Sequence, residues 1–449
     1  MKVTIGLLGC GTVGAGVVEL TRRRAGRIAD MTGVRPVIKH ILVRDEQKPR
    51  GVVLEGERLT TRPEDVLDDP EVRVVIETIG GIEPARTFIL RALRAGKHVV
   101  TANKDLIALH GEEIFDAAEA AQAEVFFEAA VGGAIPLIRP LKGCLTSNEI
   151  TDLKGIINGT TNYILSKMTE TGAGFDEVLR EAQELGYAES DPTSDVDGLD
   201  AARKLTILAS IAFHTRVRLD EVRVHGIRSI TAADVAYAND LGCVIKLLAV
   251  GRERDGALQL EVRPTLVPKA HPLASVSDAF NALFVRGDAA GDLMFFGRGA
   301  GSMPTASAVV GDLIEVMQHL RMGITETRGS NRLPKKQVHA NQGPAGRYYI
   351  RLTALDRPGV FAKIAGVFGQ AGVSMESVLQ KRVKGEDAQI VIVTHAVSQG
   401  ELAAAIQGLK DLGSVPSIDN VLPVEELEGE GPVLEDVMDD VVRTHPELS

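Results

Sequence analysis

Cysteine is scarce in this chain: three residues in 449, Cys10, Cys144 and Cys243. An odd number spread this far apart argues against a disulfide framework or a cysteine zinc site, and it suits a reducing compartment. The 10 histidines include no closely spaced pair of the metal-binding kind. Long apolar runs are missing as well; no window approaches the roughly 18 uninterrupted apolar residues of a membrane span. The N-terminal MKVTIGLLGCG has only Lys2 ahead of its glycines and no small-residue cleavage pattern. That argues against a signal peptide and for the cytoplasm. Positive charge is not in excess either. The net charge of −11 disfavours general nucleic-acid binding. Much of it is local: residues 425–449 hold nine acids against one arginine, or −8, so the acidity marks a tail more than a binding face.

What is present is ordinary for a globular chain that buries real cores: 44% hydrophobic and 25% charged residues. At roughly 150 residues per domain the length predicts about three domains. The first third alternates strand-like runs (3–8, 37–43, 72–77, 97–100, 125–127) with helical stretches, the first of them over 12–23. That alternation predicts an α/β region with a parallel, doubly wound sheet. The middle, 136–296, mixes helical segments (162–170, 175–185, 199–213, 232–241) with strand candidates (149–157, 246–252, 258–266, 283–286), and reads as α+β. Residues 326–346 are polar, rich in Gly and Pro and aperiodic, the pattern of a linker. Beyond them the order is strand 348–355, helix 360–370, strands 374–379 and 388–394, helix 400–412 and strand 415–421. That βαββαβ order is ferredoxin-like.

Gly9-Cys-Gly11-Thr-Val-Gly14 follows the first strand and opens a helix. In that context the glycines point to a dinucleotide: Gly9 for the turn, Gly11 for close approach of a pyrophosphate, Gly14 for packing of helix on strand. Thr12 and Val13 lie in the same loop, where the helix start offers free N–H groups and a positive dipole end. The second strand ends at Arg44-Asp45. The arginine favours the 2′-phosphate of NADP and the aspartate keeps NAD open; a solvated charge pair is the plain alternative. Glu77-Thr78-Ile-Gly80-Gly81 and Thr101-Ala-Asn103-Lys104 end the third and fourth strands. The carboxyl ends of parallel strands face the ligand crevice, which aims Lys104 at cofactor or substrate.

The stretch GYAESDPTSDVDGLDAARKL, 186–205, is dense in carboxylates. A calcium loop aligned on Asp195-Val-Asp197-Gly198 would need a bidentate acid where Lys204 stands, so calcium is disfavoured. Asp200 and Lys204 are four apart on one helix face. The helix is strongly apolar (Leu199, Leu205, Ile207, Leu208, Ile211, Phe213), so its first turn should be partly buried. A lysine held there among carboxylates can exchange protons with a substrate. The residues alone point to a nicotinamide-dependent enzyme acting on a small, amine-bearing substrate.

Taken in order, GLLGCGTVG, TANK, EAAVGGAIP, GIINGTTNYIL, GYAESDP and DGLDAARKL resemble the homoserine dehydrogenases, over nearly the whole chain. The resemblance implies a Rossmann-type domain at 1–135 completed by 297–325, a catalytic and dimerisation domain at 136–296, an ACT regulatory domain at 347–424 after the 326–346 linker, and the tail 425–449. It implies interconversion of L-homoserine and L-aspartate 4-semialdehyde with NADP or NAD, in threonine, methionine and isoleucine biosynthesis. It assigns Lys204 the proton transfer, with Lys104 at the cofactor–substrate junction as the other candidate. Glu189, Asp195, Asp200, Gly159 and Thr160 are assigned to the substrate. The cofactor set is Gly9, Gly11, Thr12, Val13, Gly14, Arg44, Thr78, Gly80, Lys104, Gly186 and Gly301. Glu128 with the carbonyls of Val131, Gly133 and Ile135 resembles the family's monovalent cation site, which implies sodium; composition alone reads a plain glycine turn there. Asp356-Arg-Pro-Gly-Val360 resembles an ACT loop, which implies threonine feedback and a homodimer or homotetramer. From the residues themselves, a related amino-acid or semialdehyde oxidoreductase and a non-catalytic nucleotide and amino-acid sensor stay open. Asp191 and Asp197 are read as solvated loop residues.

Overall fold

Strand β1 (Lys2–Leu8) lies at the centre of a sheet built with β2 (Arg35–Leu42), β3 (Arg58–Thr60), β4 (Val72–Glu77), β5 (His98–Thr101) and β6 (Val125–Phe126). All pairings are parallel and the order is β3-β2-β1-β4-β5-β6. Val74, Val75 and Ile76 are fully buried, as a strand covered on both faces requires. The connecting helices are α1 (Thr12–Thr32), α2 (Glu64–Leu67), α3 (Ala85–Arg94) and α4 (Lys104–Ala120). Because the order reverses between β1 and β4, the loops after these strands open into one crevice, the usual ligand site of such sheets. Helix α1 runs nine residues past the expected 12–23. Its arginine-rich continuation favours helix, and it stops where Gly33 turns left-handed at φ +69° and donates to the Ala29 carbonyl.

The computed structural model describes residues 1–254, 256–325, 335–338, 345–382 and 387–426. They fall into two compact units. The first comprises Met1–Ser229, Leu247–Pro264 and Val276–Gly343, and the second Ile230–Lys246, Thr265–Ser275 and Pro344–Ser449.

After the parallel sheet, the first unit continues with β7 (Ile150–Ile156), α5 (Gly159–Thr171), α6 (Phe175–Glu184), the one-turn α7 (Thr193–Val196), α8 (Leu199–Ala212) and β8 (Arg223–Val224). Helix α9 (Ala232–Asp240) belongs to the second unit. A mixed sheet follows the order β12-β11-β7-β9-β10, from β9 (Cys243–Arg254), β10 (Ala257–Pro268), β11 (Phe280–Gly287) and β12 (Gly291–Arg298). Strand β12 is absent from the sequence reading, which ended this region's strands at Arg286. It pairs antiparallel with β11 across a three-residue turn. Helix α10 (Ser302–Met322) then returns to the parallel sheet. Ala306, Val309, Leu313 and Met317 join Val3, Ile5, Val17 and Val18 in one core. The expectation that 297–325 completes the nucleotide region thus corresponds to a real helix, although residues 297 and 298 still belong to β12.

The stretch read as a linker is not wholly irregular. Gln337–Val338 forms β13, paired with Ala257 and Leu258, and the Lys336 ammonium is 2.6 Å from Glu253. Residues 326–334 and 339–344 lie outside the described residues, as do 427–449 of the acidic tail.

In the second unit, β14 (Arg347–Leu355), α11 (Val360–Gln370), β15 (Met375–Arg382), β16 (Asp387–Thr394), α12 (Gln399–Lys410) and β17 (Ser417–Val424) form an antiparallel sheet in the order β17-β14-β16-β15. This is the expected ferredoxin-like arrangement. Of the region expected at 136–296, the segments 230–246 and 265–275 pack in this unit. The tie is electrostatic: Asp234 on α9, fully buried, accepts from Arg351 at 2.7 Å, from the Tyr349 hydroxyl at 3.1 Å and from Asn420 at 3.1 Å. A carboxylate sealed this way must bring its counter-charge with it.

Candidate active site

The turn after β1 is shaped by three glycines with different duties. Gly9 sits at φ +95°, which side chains resist. A β-carbon there would meet the Thr78 carbonyl oxygen at 2.9 Å, and one on Gly14 would lie 2.3 Å from the Gly9 carbonyl oxygen. Gly11 differs: nothing lies within 4 Å of where its β-carbon would be. That open space, beside the first turn of α1 at Thr12 and Val13, is where a pyrophosphate fits. The Thr78 hydroxyl donates to the Gly9 carbonyl at 3.0 Å, which ties the loop after β4 to the one after β1. The Ser302 hydroxyl, next to the left-handed Gly301, donates to the Thr12 carbonyl at 2.7 Å. Gly16 lets α10 come this close, since a β-carbon on it would lie 2.8 Å from the Ser302 oxygen. Arg44 stands exposed after β2, while the Asp45 carboxylate accepts from the Gln47 N–H at 2.8 Å.

Glu77 has a role the sequence reading did not see. It is fully buried at the end of β4. One oxygen accepts the N–H groups of Ile79 and Gly80 at 2.7 and 3.0 Å, and the other accepts the Thr101 hydroxyl at 2.6 Å. It shapes the Gly80-Gly81 turn, whose outer side is open. The available signal was a glutamate directly after the apolar run Val74-Val75-Ile76.

Asn103 caps α4, so Lys104 leads the helix out of the crevice. From the other side, α8 brings Asp200, which is 3% exposed. The Lys104 ammonium lies 2.7 Å from one Asp200 oxygen and the Lys204 ammonium 2.6 Å from the other. Lys204 also donates to the Ile157 carbonyl at 2.7 Å. Asn158 donates to Asp200 at 2.8 Å and to Asp195 at 2.7 Å, and its own oxygen accepts the Thr161 N–H at 2.8 Å. Burial pushes the Asp200 carboxyl up, but Lys204 and then Lys104 override it and hold the group well below the usual carboxylate range. Burial works against the Lys104 charge, yet Asp200 prevails and the lysine sits above its ordinary value. A second bond between the same helices, Arg203 to Asp105 at 3.1 Å, runs alongside.

The four-residue spacing of Asp200 and Lys204 is therefore realised as a buried pair, not an exposed one. Sequence spacing could not show that Lys104 shares the same carboxylate, nor that Asn158 joins Asp195 to it. Leu199 departs from the expected core, being 40% exposed at the helix start. The left-handed Gly198 ahead of it turns that first residue outward while Asp200 turns in.

The remaining substrate candidates lie on neighbouring loops. Gly159 and Thr160 open α5 behind the Asn158 cap. The Thr160 hydroxyl donates to the Tyr187 carbonyl at 2.7 Å, and the Tyr187 ring stacks on Tyr163 at 4.6 Å. This fastens the turn at Gly186 (φ +77°), which carries Glu189. The Glu189 carboxylate is exposed and takes no part in the hydrogen bonds of the lysine cluster. Asp191 accepts the Thr193 N–H and Asp197 pairs with Arg228, so both serve the loop itself.

Glu128 is buried and accepts the N–H groups of Leu137, Ile138 and Arg139 at 2.6–2.8 Å. Gly132 and Gly133 are both left-handed in the turn it spans. Asp312 on α10, missed by the sequence reading, accepts the Glu128 N–H at 2.9 Å and pairs with Arg139 at 2.6 Å. Burial pushes its carboxyl up to about 7 against the pull of Arg139. Among the described residues no group of three or more His, Cys, Asp or Glu could hold a metal. Any cation at this turn would rest mainly on backbone carbonyls.

A doubly wound sheet with a glycine-lined phosphate loop, facing a buried lysine–carboxylate–lysine bridge, defines a dinucleotide-dependent oxidoreductase. Sequence comparison narrows the class. Residues 9–128 match the NAD-binding domain of homoserine dehydrogenase, 136–314 match homoserine dehydrogenase, and 348–414 match the ACT domain. The Synechocystis homoserine dehydrogenase is 47% identical, over 94% of this chain and 100% of its own. That of Bacillus subtilis is 44% identical, over 94% and 98%. The crystal structure of a Thiobacillus denitrificans homoserine dehydrogenase superposes with a TM-score of 0.90 at 43% identity, covering 95% of this chain and 99% of that one. A hyperthermophilic archaeal homoserine dehydrogenase in complex with NADPH matches 70% of this chain and 98% of its own, at TM-score 0.61 and 26% identity. The chain belongs to the homoserine dehydrogenase family.

Proposed function

We propose that this enzyme interconverts L-homoserine and L-aspartate 4-semialdehyde, serving threonine, methionine and isoleucine biosynthesis in the cytoplasm, with Lys204 as the proton shuttle. The observation that carries the reading is the Asp200 bridge between Lys104 and Lys204. When bound, the nicotinamide takes up or returns the hydride of the carbinol carbon. The chain's own residues handle the proton. Asp200 keeps Lys104 an ammonium through the neutral range, which suits it to polarise the substrate oxygen rather than to accept its proton. Lys204 spends two of its N–H donors on Asp200 and Ile157; in the reduction its third N–H gives the proton to the semialdehyde carbonyl oxygen, and in the oxidation the neutral amine takes that proton from the hydroxyl of homoserine. The N–H groups of Gly159 and Thr160, which have no intrahelical partner, suit the substrate carboxylate. Glu189 and Asp195 supply negative charge for its ammonium.

NADP is the favoured cofactor, on the strength of Arg44. The NADPH complex of the archaeal relative supports that choice. The glycine turn 131–135 holds a monovalent cation through the Val131, Gly133 and Ile135 carbonyls beside Glu128, and the ACT domain binds threonine in a homo-oligomer. The test is reduction of NADP⁺ or NAD⁺ by L-homoserine, followed by the absorbance of the reduced nicotinamide, with and without threonine and with Na⁺ replaced by a bulky organic cation. Absence of turnover under every condition would sink the reading. Turnover indifferent to threonine or to Na⁺ would remove that part alone.

A further inference from the structure

One buried amide joins the turn after β4 to the start of α4. Asn103 is 5% exposed. Its side-chain nitrogen donates to the Gly81 carbonyl at 2.7 Å, and its side-chain oxygen accepts the Leu106 N–H at 3.1 Å. A carbonyl on one edge and an N–H on the other allow the amide a single orientation. A carboxylate has no hydrogen to give Gly81, and a serine hydroxyl, one bond shorter, serves the Leu106 side alone. The Asn103 N–H also donates to the Thr101 hydroxyl oxygen at 3.0 Å, and that hydroxyl donates to Glu77. Glu77 thus grips the N–H side of the 79–81 turn, Asn103 grips its carbonyl side, and Thr101 ties the two grips together. The turn needs such anchors. Gly80 and Gly81 are both left-handed, at φ +78° and +71°, and nothing lies within 4 Å of where their β-carbons would be. The residue after Asn103 is Lys104, whose ammonium lies 2.7 Å from Asp200.

We propose that Asn103 is a positioning residue that couples the cofactor-side turn at Gly80-Gly81 to the placement of Lys104. This rests on the reading above, in which Lys104 polarises the substrate oxygen. The amide is buried and engaged on both edges, so it acts through its neighbours and not on a ligand. At one end it holds a glycine turn beside the dinucleotide crevice. At the other it fixes where the helix carrying Lys104 begins. The dinucleotide and the lysine–carboxylate bridge are set against each other through this single side chain.

The test compares Asn103→Ser and Asn103→Ala in the full-length enzyme. Serine caps a helix about as well as asparagine, so N103S keeps the Leu106 contact and loses the one to Gly81, whereas N103A loses both. N103S should unfold near the wild-type urea midpoint, yet bind NADPH about three- to tenfold more weakly in a fluorescence titration. Its kcat for L-homoserine should fall about tenfold, with KM for homoserine within about twofold of wild type. In a Lys104→Ala background, Asn103→Ser should still weaken NADPH binding but lower kcat no further, because its effect on turnover runs through Lys104. The inference is overturned if N103S keeps either NADPH affinity or kcat within about twofold of wild type, or if kcat falls by the same factor with and without Lys104. It is overturned equally if N103S is destabilised as far as N103A, since the losses would then be structural. Should N103S fail to fold, Asn103→Thr, the other hydroxyl cap, is read by the same criteria. Failure of the wild type to oxidise homoserine, with NADPH binding still weakened in N103S, would instead count against the proposed function.

Discussion

Replacing Asp200 by Asn would keep the shape of the central carboxylate and remove its charge. Two ammonium groups would then share a site built for one anion. Lys204, with a side chain only 11% exposed, can recover little hydration, while Lys104 at 35% can recover more. Removing one partner of a buried pair costs about 3–5 kcal/mol. Discounting the Lys104 share for solvent screening, we expect about 3 kcal/mol. The pH dependence follows from the two shifts. Asp200 is depressed, so its contribution is present above about pH 4 and is lost as pH falls through its folded value. Lys104 is raised, so its contribution is present below about pH 10 and is lost as pH rises through its folded value. In the Asn variant only the more weakly acting Asp105 and Asp195 oppose burial at Lys104, and the alkaline limb of activity should move to lower pH. Urea unfolding at neutral and acid pH, with pH profiles of kcat/KM, measures both effects. A stability loss under about 1 kcal/mol with an unmoved alkaline limb would refute the argument.

Lys204→Ala should lower kcat by about 10²–10⁴-fold, and by more than Lys104→Ala does; the reverse ranking in steady-state kinetics would hand the proton to Lys104. Arg44→Ala should raise KM for NADP by about tenfold or more and leave KM for NAD nearly unchanged, whereas equal effects would mark Arg44 as an ordinary surface charge. Arg351→Met should destabilise the C-terminal unit by about 3–5 kcal/mol, because Asp234 is left sealed with its charge; a loss under about 1 kcal/mol in chemical denaturation would contradict this.

The sequence was most informative where one local signal sufficed. Strand 72–77 and helix 360–370 match the structure residue for residue, because each is an apolar-rich stretch followed closely by glycine. The glycine loop after β1 was equally plain, since Gly9 and Gly14 answer local steric demands and Gly11 leaves a space open. Strand β12 was not visible: its outward positions include Met294 and Phe296, so GDLMFFGR carries no clean alternation of apolar and polar residues. That helix α9 packs with the C-terminal unit was not legible, because Asp234 and Arg351 are 117 residues apart and nothing local links them. The site shows the same contrast. Asp200 with Lys204 is a matter of helical spacing. Lys104, Glu77, Asn158 and Asp312 act through partners that only the tertiary fold supplies, and an isolated polar residue in an apolar strand or helix looks alike whether it is structural or functional.

The hydrogen bond from Ser302 to Thr12 joins residues 290 positions apart, and the helix it opens supplies part of the first sheet's core. A ribosome that has made only residues 1–135 has therefore produced a sheet with Val17 and Val18 still lacking Val309 and Leu313 as neighbours. The nucleotide-binding half begins first and closes late. Its exposed apolar face must be tolerated, or sheltered by chaperones, while the whole catalytic region is synthesised.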